Sequence, residues 1–252
     1  MKIVRYQTET ASHSTWGILE GNEIQPVSFP NLEANGEKVS VRSVKLLAPA
    51  EPSKIVCVGR NYVAHIEELG NKPLAEPGLF FKAANALTFS GDTVPYPSWT
   101  QSFHFEGELG LVMKSRASKV SLEDALSHVL GWTCALDLTA RDKQKTDLQW
   151  FRAKGSDKFL PFGPHLETNL EPQKTRVVTR INGVEKQNGT TDKMIFDVAF
   201  VIHYVSQFMT LSPGDVVITG TPEGVGELNP GDLVEVEIDG IGILEARIGD
   251  KA

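Results

Sequence analysis

Apolar and polar residues alternate in short runs along most of this chain, the period of strands with one buried face. Leu233-Val234-Glu235-Val236-Glu237-Ile238 is such a run, and Asp239-Gly240 turns it into a final one at residues 243–248. Residues 176–181 end in Asn182-Gly183, the dipeptide of a tight hairpin. Residues 54–59 and 216–219 are continuously apolar, as expected of strands buried on both faces. Residues 2–7, 15–19 and 23–27 read as short strands, the last two joined by Glu20-Gly21-Asn22. Helical spacing is rarer. It predicts helices over residues 61–69, over 121–130 behind the capping pattern Ser121-Leu122-Glu123-Asp124 with a stop at Gly131, and over 197–209 with a stop at Ser212-Pro213-Gly214. Few helices and many glycine turns predict an α+β, mainly β architecture rather than a βαβ repeat. Ala48-Pro49-Ala50-Glu51-Pro52 biases the backbone to an extended link. It divides a small β-rich N-terminal unit, residues 1–48, from a main domain, residues 49–252.

Composition narrows the function classes. A chain of 252 residues can bury a large core without disulfides or structural metal. The net charge of -7 argues against a nucleic-acid or membrane-surface partner, both of which call for a basic patch. No apolar run is long enough to span a bilayer, and the opening residues lack the form of a secretory signal, so the cytoplasm is the expected compartment. Cys57 and Cys134 both lie in apolar runs and read as buried free thiols. Asn188-Gly189-Thr190 is read as a turn.

Three carboxylates stand out against this background. Glu106 and Glu108 lie in Phe105-Glu106-Gly107-Glu108-Leu109-Gly110, and Asp137 lies in Cys134-Ala135-Leu136-Asp137-Leu138-Thr139. A carboxylate among hydrophobes is costly in its charged form, and two facing each other also repel. A hard divalent cation removes both penalties, so the three are candidate ligands for magnesium or manganese, with calcium a possible substitute. Residues 104–113 read as one strand, in which i and i+2 share a face. Glu106 and Glu108 would project together, roughly 6–7 Å apart along the chain. A solvated strand face with two surface glutamates is the alternative.

Other candidates surround this cluster. His65 and Glu68, three apart on the first helix, suit a general base for water, with the carboxylate fixing the imidazole. A surface helix carrying a histidine and some acids is the alternative. Lys82 follows the apolar run Leu79-Phe80-Phe81 and is read either as a partner for a carboxylate or enolate, or as a strand lysine reaching water. Arg141, Arg152 and Lys154 place cations soon after the third carboxylate. The turn at residues 219–226, Thr-Gly-Thr-Pro-Glu-Gly-Val-Gly, is neither a P-loop nor a Rossmann loop, but its backbone N–H groups can hold a carboxylate. His104 adjoins the first candidate ligand. His13, His128, His165 and His203 are expected on the surface or on helices.

Taken in order, Val58-Gly59-Arg60-Asn61-Tyr62 with His65 and Glu68, Leu79-Phe80-Phe81-Lys82, Glu106-Gly107-Glu108-Leu109, Asp137-Leu138-Thr139-Ala140-Arg141-Asp142 and the glycine-rich turn resemble the fumarylacetoacetate hydrolase family. The likeness runs from about residue 50 to the end, and residues 150–157 resemble the bacterial branch, whose members are named 2-hydroxyhepta-2,4-diene-1,7-dioate isomerases or acylpyruvate hydrolases. A proline often follows the lysine of the Phe-Phe-Lys motif; here the residue is Ala83. The resemblance implies a mixed β-sandwich roll with few helices, and a homodimer. It implies Glu106, Glu108 and Asp137 as metal ligands, His65 and Glu68 as the water-activating pair, and Lys82 and Lys154 as cationic partners of substrate. It implies Arg60, Tyr62, Arg141, Gln144 and Thr221 as substrate-contacting positions.

The expected function is therefore metal-dependent chemistry on a small anionic 2-oxo diacid through a stabilised enolate. Carbon–carbon hydrolysis of an acylpyruvate-type substrate leads. Isomerisation of a dienedioate and decarboxylation of oxaloacetate by the same site are alternatives. A non-catalytic metal-binding module is the rival from another class.

Overall fold

The computed structural model describes residues 1–9 and 11–252. Its principal strands are β1 (Lys2–Thr8), β2 (Thr15–Glu20), β3 (Glu23–Ser28), β4 (Ile55–Gly59), β5 (Gly78–Lys82), β6 (Thr93–Tyr96), β7 (Phe103–Phe105), β8 (Gly107–Met113), β9 (Val129–Leu136), β10 (Leu160–Glu167), β11 (Arg176–Ile181), β12 (Val184–Thr190), β13 (Val216–Ile218), β14 (Leu233–Ile238) and β15 (Gly242–Lys251). The α-helices are short: α1 (Val63–Glu68), α2 (Arg141–Thr146), α3 (Phe151–Gly155) and α4 (Val198–Ser206). The α+β, mainly β reading holds.

A 13-stranded mixed sheet forms the body, its main path running β3-β2-β1-β10-β9-β8-β13-β4-β5. Its central strands β4, β8, β9 and β13 are buried almost throughout, and β4 and β13 carry the unbroken apolar runs that such burial favours. A five-stranded sheet, β6-β15-β14-β11-β12, packs against it. A third, three-stranded sheet joins β7 to residue pairs 139–140 and 226–227. One continuous apolar core fills the space between the sheets. The strands of residues 1–48 extend the main sheet, because β1 pairs with β10 at Lys2–Glu167 and Ile3–Leu166.

The hairpin signals are borne out. Asn182 and Gly183 both adopt positive φ, 52° and 77°, as a two-residue turn matched to strand twist requires. Helix α4 is capped by Asp197, whose Oδ1 accepts from the Phe200 N–H at 2.7 Å, and it buries Val198, Val201, Ile202 and Val205.

Three expectations fail. Asn188-Gly189-Thr190, read as a turn, is the end of β12, paired with residues 176–178 of β11. The helix predicted over residues 121–130 is absent. Ser121 Oγ does accept from the Asp124 N–H at 3.1 Å, but only a 3-10 turn, Ala125–His128, follows. The sheet claims Val129 onward, pairing β9 with both β8 and β10. The single strand predicted over residues 104–113 is two strands. His104 pairs with Thr139 and Glu227, whereas Gly107 begins the pairing with β9. The chain changes sheets at Glu106.

Candidate metal and substrate site

That change of sheets builds the acidic cluster. In the β8–β9 register Gly107 faces Leu136 and Glu108 faces Ala135, so Asp137 emerges opposite Glu106. The Asp137 N–H donates to the Glu106 carbonyl at 2.8 Å. The small Ala135 beside Glu108 leaves room for the acids to converge. One carboxylate oxygen from each of Glu106, Glu108 and Asp137 lies within 4.8 Å of the others, and all three residues are buried. The glycine between the glutamates is required by packing: a Cβ at Gly107 would lie 2.1 Å from Thr179 Oγ1 of β11.

Cations surround the cluster unevenly. Lys154 Nζ donates to Glu106 Oε2 and Asp137 Oδ2, both at 2.7 Å. Arg141 pairs with the other Glu106 oxygen and donates to Gln144 Oε1 at 2.6 Å. Burial would raise the Glu106 pKa, but Lys154, Arg141 and His65 outweigh it and hold the carboxyl below the usual carboxylate range. Glu108 is pushed the other way, by burial first and then by Asp137 and Glu106. Its only hydrogen bond is from the Gly220 N–H at 2.7 Å, and among the described residues no cation pairs with it. Asp137 Oδ1 forms an ion pair with Lys82 Nζ at 2.7 Å. A buried all-oxygen cluster with one acid short of positive charge fits a hard divalent cation.

A cavity of about 480 Å³ opens onto these carboxylates. Arg60, His65, Arg141, Gln144, Lys154 and Thr221 from the predicted set line it together with the three acids. Glu68 stands behind His65, its Oε2 3.5 Å from His65 Nδ1, and accepts from the Gly224 N–H at 3.1 Å. Burial lowers the His65 pKa, against the pull of Glu106, which favours the neutral imidazole that a base requires. Arg60 holds a positive φ of 58°, and neither it nor Lys145 makes an ion pair or side-chain hydrogen bond among the described residues.

Several expectations need correcting. Lys82 does not line this cavity; of its readings, the partner of a carboxylate holds, with Asp137 Oδ1 2.7 Å from its Nζ. It is 2% exposed, and its ammonium donates to the carbonyls of Leu138, Lys154 and Phe159. Tyr62 is buried off the cavity wall, and its hydroxyl has no hydrogen-bond partner among the described residues. Arg152 turns outward to Asp147 instead of joining the site. His165 is not a surface residue: β10 buries it, 6% exposed. The glycine-rich turn does hold carboxylates, but they are the protein's own, Glu108 through Gly220 and Glu68 through Gly224.

Sequence reasoning missed Gln187. It accepts from the Gly107 N–H at 2.9 Å and donates to Thr221 Oγ1 at 2.7 Å, while Thr221 donates to the Gly107 carbonyl at 2.9 Å. This ring ties the glycine-rich turn to the Glu-Gly-Glu strand. No local pattern marked it, because Gln187 lies in an ordinary polar strand. His104, Ser102, Asn71, Phe80, Trp150 and Lys145 also line the cavity. His104 Nε2 lies 3.0 Å from Ser102 Oγ, and burial first, then Arg141, lowers its pKa to about 4.

Residues 54–249 match the profile of the fumarylacetoacetate (FAA) hydrolase C-terminal domain. The chain belongs to the fumarylacetoacetate hydrolase family. Residues 1–49 match a second profile, the Rv2993c-like N-terminal domain. Oxaloacetate tautomerase YisK of Bacillus subtilis is 39% identical over 87% of this chain and 78% of its own. The crystal structure of 5-carboxymethyl-2-hydroxymuconate delta-isomerase from Mycobacterium smegmatis superposes with a TM-score of 0.92 at 34% identity, covering 100% of both chains. Fumarylpyruvate hydrolase from Pseudomonas aeruginosa, in complex with Mn2+ and pyruvate, gives a TM-score of 0.76 at 34% identity over 80% of this chain and 91% of its own. No α-helix among the described residues is long and apolar enough to cross a membrane.

Proposed function

We propose that this family member is a divalent-metal-dependent enzyme that acts on small 2-oxo diacids through an enolate, with magnesium or manganese held by Glu106, Glu108 and Asp137. The observation that carries the proposal is the juxtaposition of an under-compensated acid cluster with His65 in one cavity. The manganese and pyruvate bound by the Pseudomonas hydrolase support it. The cation, when bound, supplies Lewis-acid stabilisation of negative charge on the 2-oxo group.

Hydrolysis of an acylpyruvate-type carbon–carbon bond is the leading reaction. His65, oriented by Glu68, takes a proton from water while the water oxygen adds to the distal carbonyl carbon. The tetrahedral adduct collapses, and the carbon–carbon bonding pair passes to the pyruvate fragment as its enolate. The proton returns to the enolate carbon. Lys154 and Arg141 hold positive charge beside the cluster, and Gln144 and Thr221 offer hydrogen bonds on the wall. Arg60 and Lys145, without an ion pair or side-chain hydrogen bond among the described residues, provide charge for the distal carboxylate of a diacid.

Tautomerisation of oxaloacetate is the second reading, favoured by the similarity to the Bacillus enzyme. It needs the same enolate and proton transfer but no attacking water. Product analysis with fumarylpyruvate, oxaloacetate and a dienedioate, each with Mg2+ or Mn2+, separates the readings. Release of pyruvate and fumarate supports hydrolysis, enol–keto exchange alone supports tautomerisation, and no turnover of any substrate leaves a binding module. The homodimer is part of this proposal, and sedimentation velocity tests it.

A further inference from the structure

Lys82 is a buried cation beside the site that does not line the cavity of the three acids. Its ammonium donates to three backbone carbonyls: Leu138 at 3.1 Å, Lys154 at 2.6 Å and Phe159 at 2.9 Å. These carbonyls belong to three separate places: the residue after Asp137, helix α3, and the residue before β10. Asp137 Oδ1, 2.7 Å away, is a fourth acceptor around the same ammonium and pairs with its charge.

The strand period explains the placement. Phe80 and Lys82 share a face of β5; Phe80 reaches the cavity wall while Lys82 goes beneath the carboxylates, and Phe81 points outward, 54% exposed. Helix α3 depends on such outside ties. It has five residues, and its N-cap, Trp150, supplies no side-chain hydrogen bond. Lys82 binds the carbonyl of the same residue, Lys154, whose Nζ bridges Glu106 and Asp137.

We propose that Lys82 is a positioning residue: it holds the Asp137 carboxylate and the Lys154-bearing helix in register for cation binding, and it contacts no substrate. The inference rests on the metal reading above and reassigns one residue within it.

Two measurements test it. The first is titration of Mn2+, then of pyruvate at saturating Mn2+, into wild-type protein and Lys82→Met. The expected result is a Mn2+ affinity weakened about 10- to 100-fold, the range for lost support of a ligand. Pyruvate affinity at saturating Mn2+ stays within about threefold of wild type. Retained Mn2+ affinity with lost pyruvate affinity overturns the proposal, because Lys82 would then be a substrate partner. The second uses wild-type protein and so does not depend on the variant folding. Reductive methylation of the native protein, read by peptide mass, should modify exposed Lys145 and leave Lys82 untouched; methylation of Lys82 that pyruvate protects overturns the proposal. Failure of wild-type protein to bind Mn2+ would sink the metal reading by itself, with the labelling still deciding whether Lys82 is reachable.

Discussion

Two buried carboxylates on neighbouring strands of the main sheet have opposite surroundings. Asp215, just before β13, is fully buried and saturated: it accepts from the N–H groups of Ser53, Lys54 and Ser212, from Ser53 Oγ and from Lys54 Nζ. Burial alone would raise its pKa, but Lys54 and Ser53 outweigh it and lower it. Glu108, on the adjacent β8, has one hydrogen bond and two carboxylates for neighbours, and its pKa rises. A carboxylate that serves architecture has its lone pairs filled by the protein. One left under-compensated at a cavity wall is waiting for a cation the chain does not supply.

The contrast predicts different responses to the same chemical change. Glu108→Gln should abolish measurable Mn2+ binding, with affinity down at least about 100-fold, and take turnover with it. Its metal-free urea midpoint should not fall, because a repelled charge has been removed. Loss of metal-free stability in Glu108→Gln would erase the distinction from Asp215. His65→Ala sharpens the functional half: hydrolysis should drop by about 10²- to 10⁴-fold while Mn2+ affinity holds. Unchanged cleavage of fumarylpyruvate by this variant would remove the water-activating role. Asp215→Asn should do the reverse of Glu108→Gln, costing about 3 kcal/mol of stability in urea unfolding with Mn2+ affinity unchanged.

A third buried group gives the smallest effect. His165 has an unpartnered Nε2, and burial first, then Lys2, lowers its pKa to about 4. The unfolded chain takes up this proton near pH 6.5, the folded one only near 4. Stability from this group is complete above pH 6.5 and is lost as the pH falls toward 4, about 2 kcal/mol by pH 5. Comparing urea midpoints of wild type and His165→Phe at pH 7 and pH 5 isolates it; equal losses in both proteins would contradict the assignment.

Legibility in the sequence tracked how local the cause was. The hairpin at Asn182-Gly183 and the presence of helix α4 depend on neighbouring residues, and both were readable. The Glu106–Glu108 pairing was readable from the strand period, although the strand itself breaks at Glu106 to serve two sheets. The failed helix after Ser121 shows a correct local cap overridden by pairing with distant β10. Gln187 and the carbonyl cage around Lys82 join residues dozens of positions apart in chains of hydrogen bonds with no periodic signature. Lys82 was visible as an unusual lysine in an apolar run; which way it pointed was set by the tertiary fold.

The most direct measurement is a crystal structure of the protein grown with Mn2+ and pyruvate, with the ion located by its anomalous signal. The account predicts one ion per chain, contacted by oxygens of Glu106, Glu108 and Asp137, with pyruvate beside it in the cavity that His65 lines. An ion bound elsewhere, or the three carboxylates closed upon Lys154 and Arg141 with no ion among them at saturating Mn2+, would contradict it.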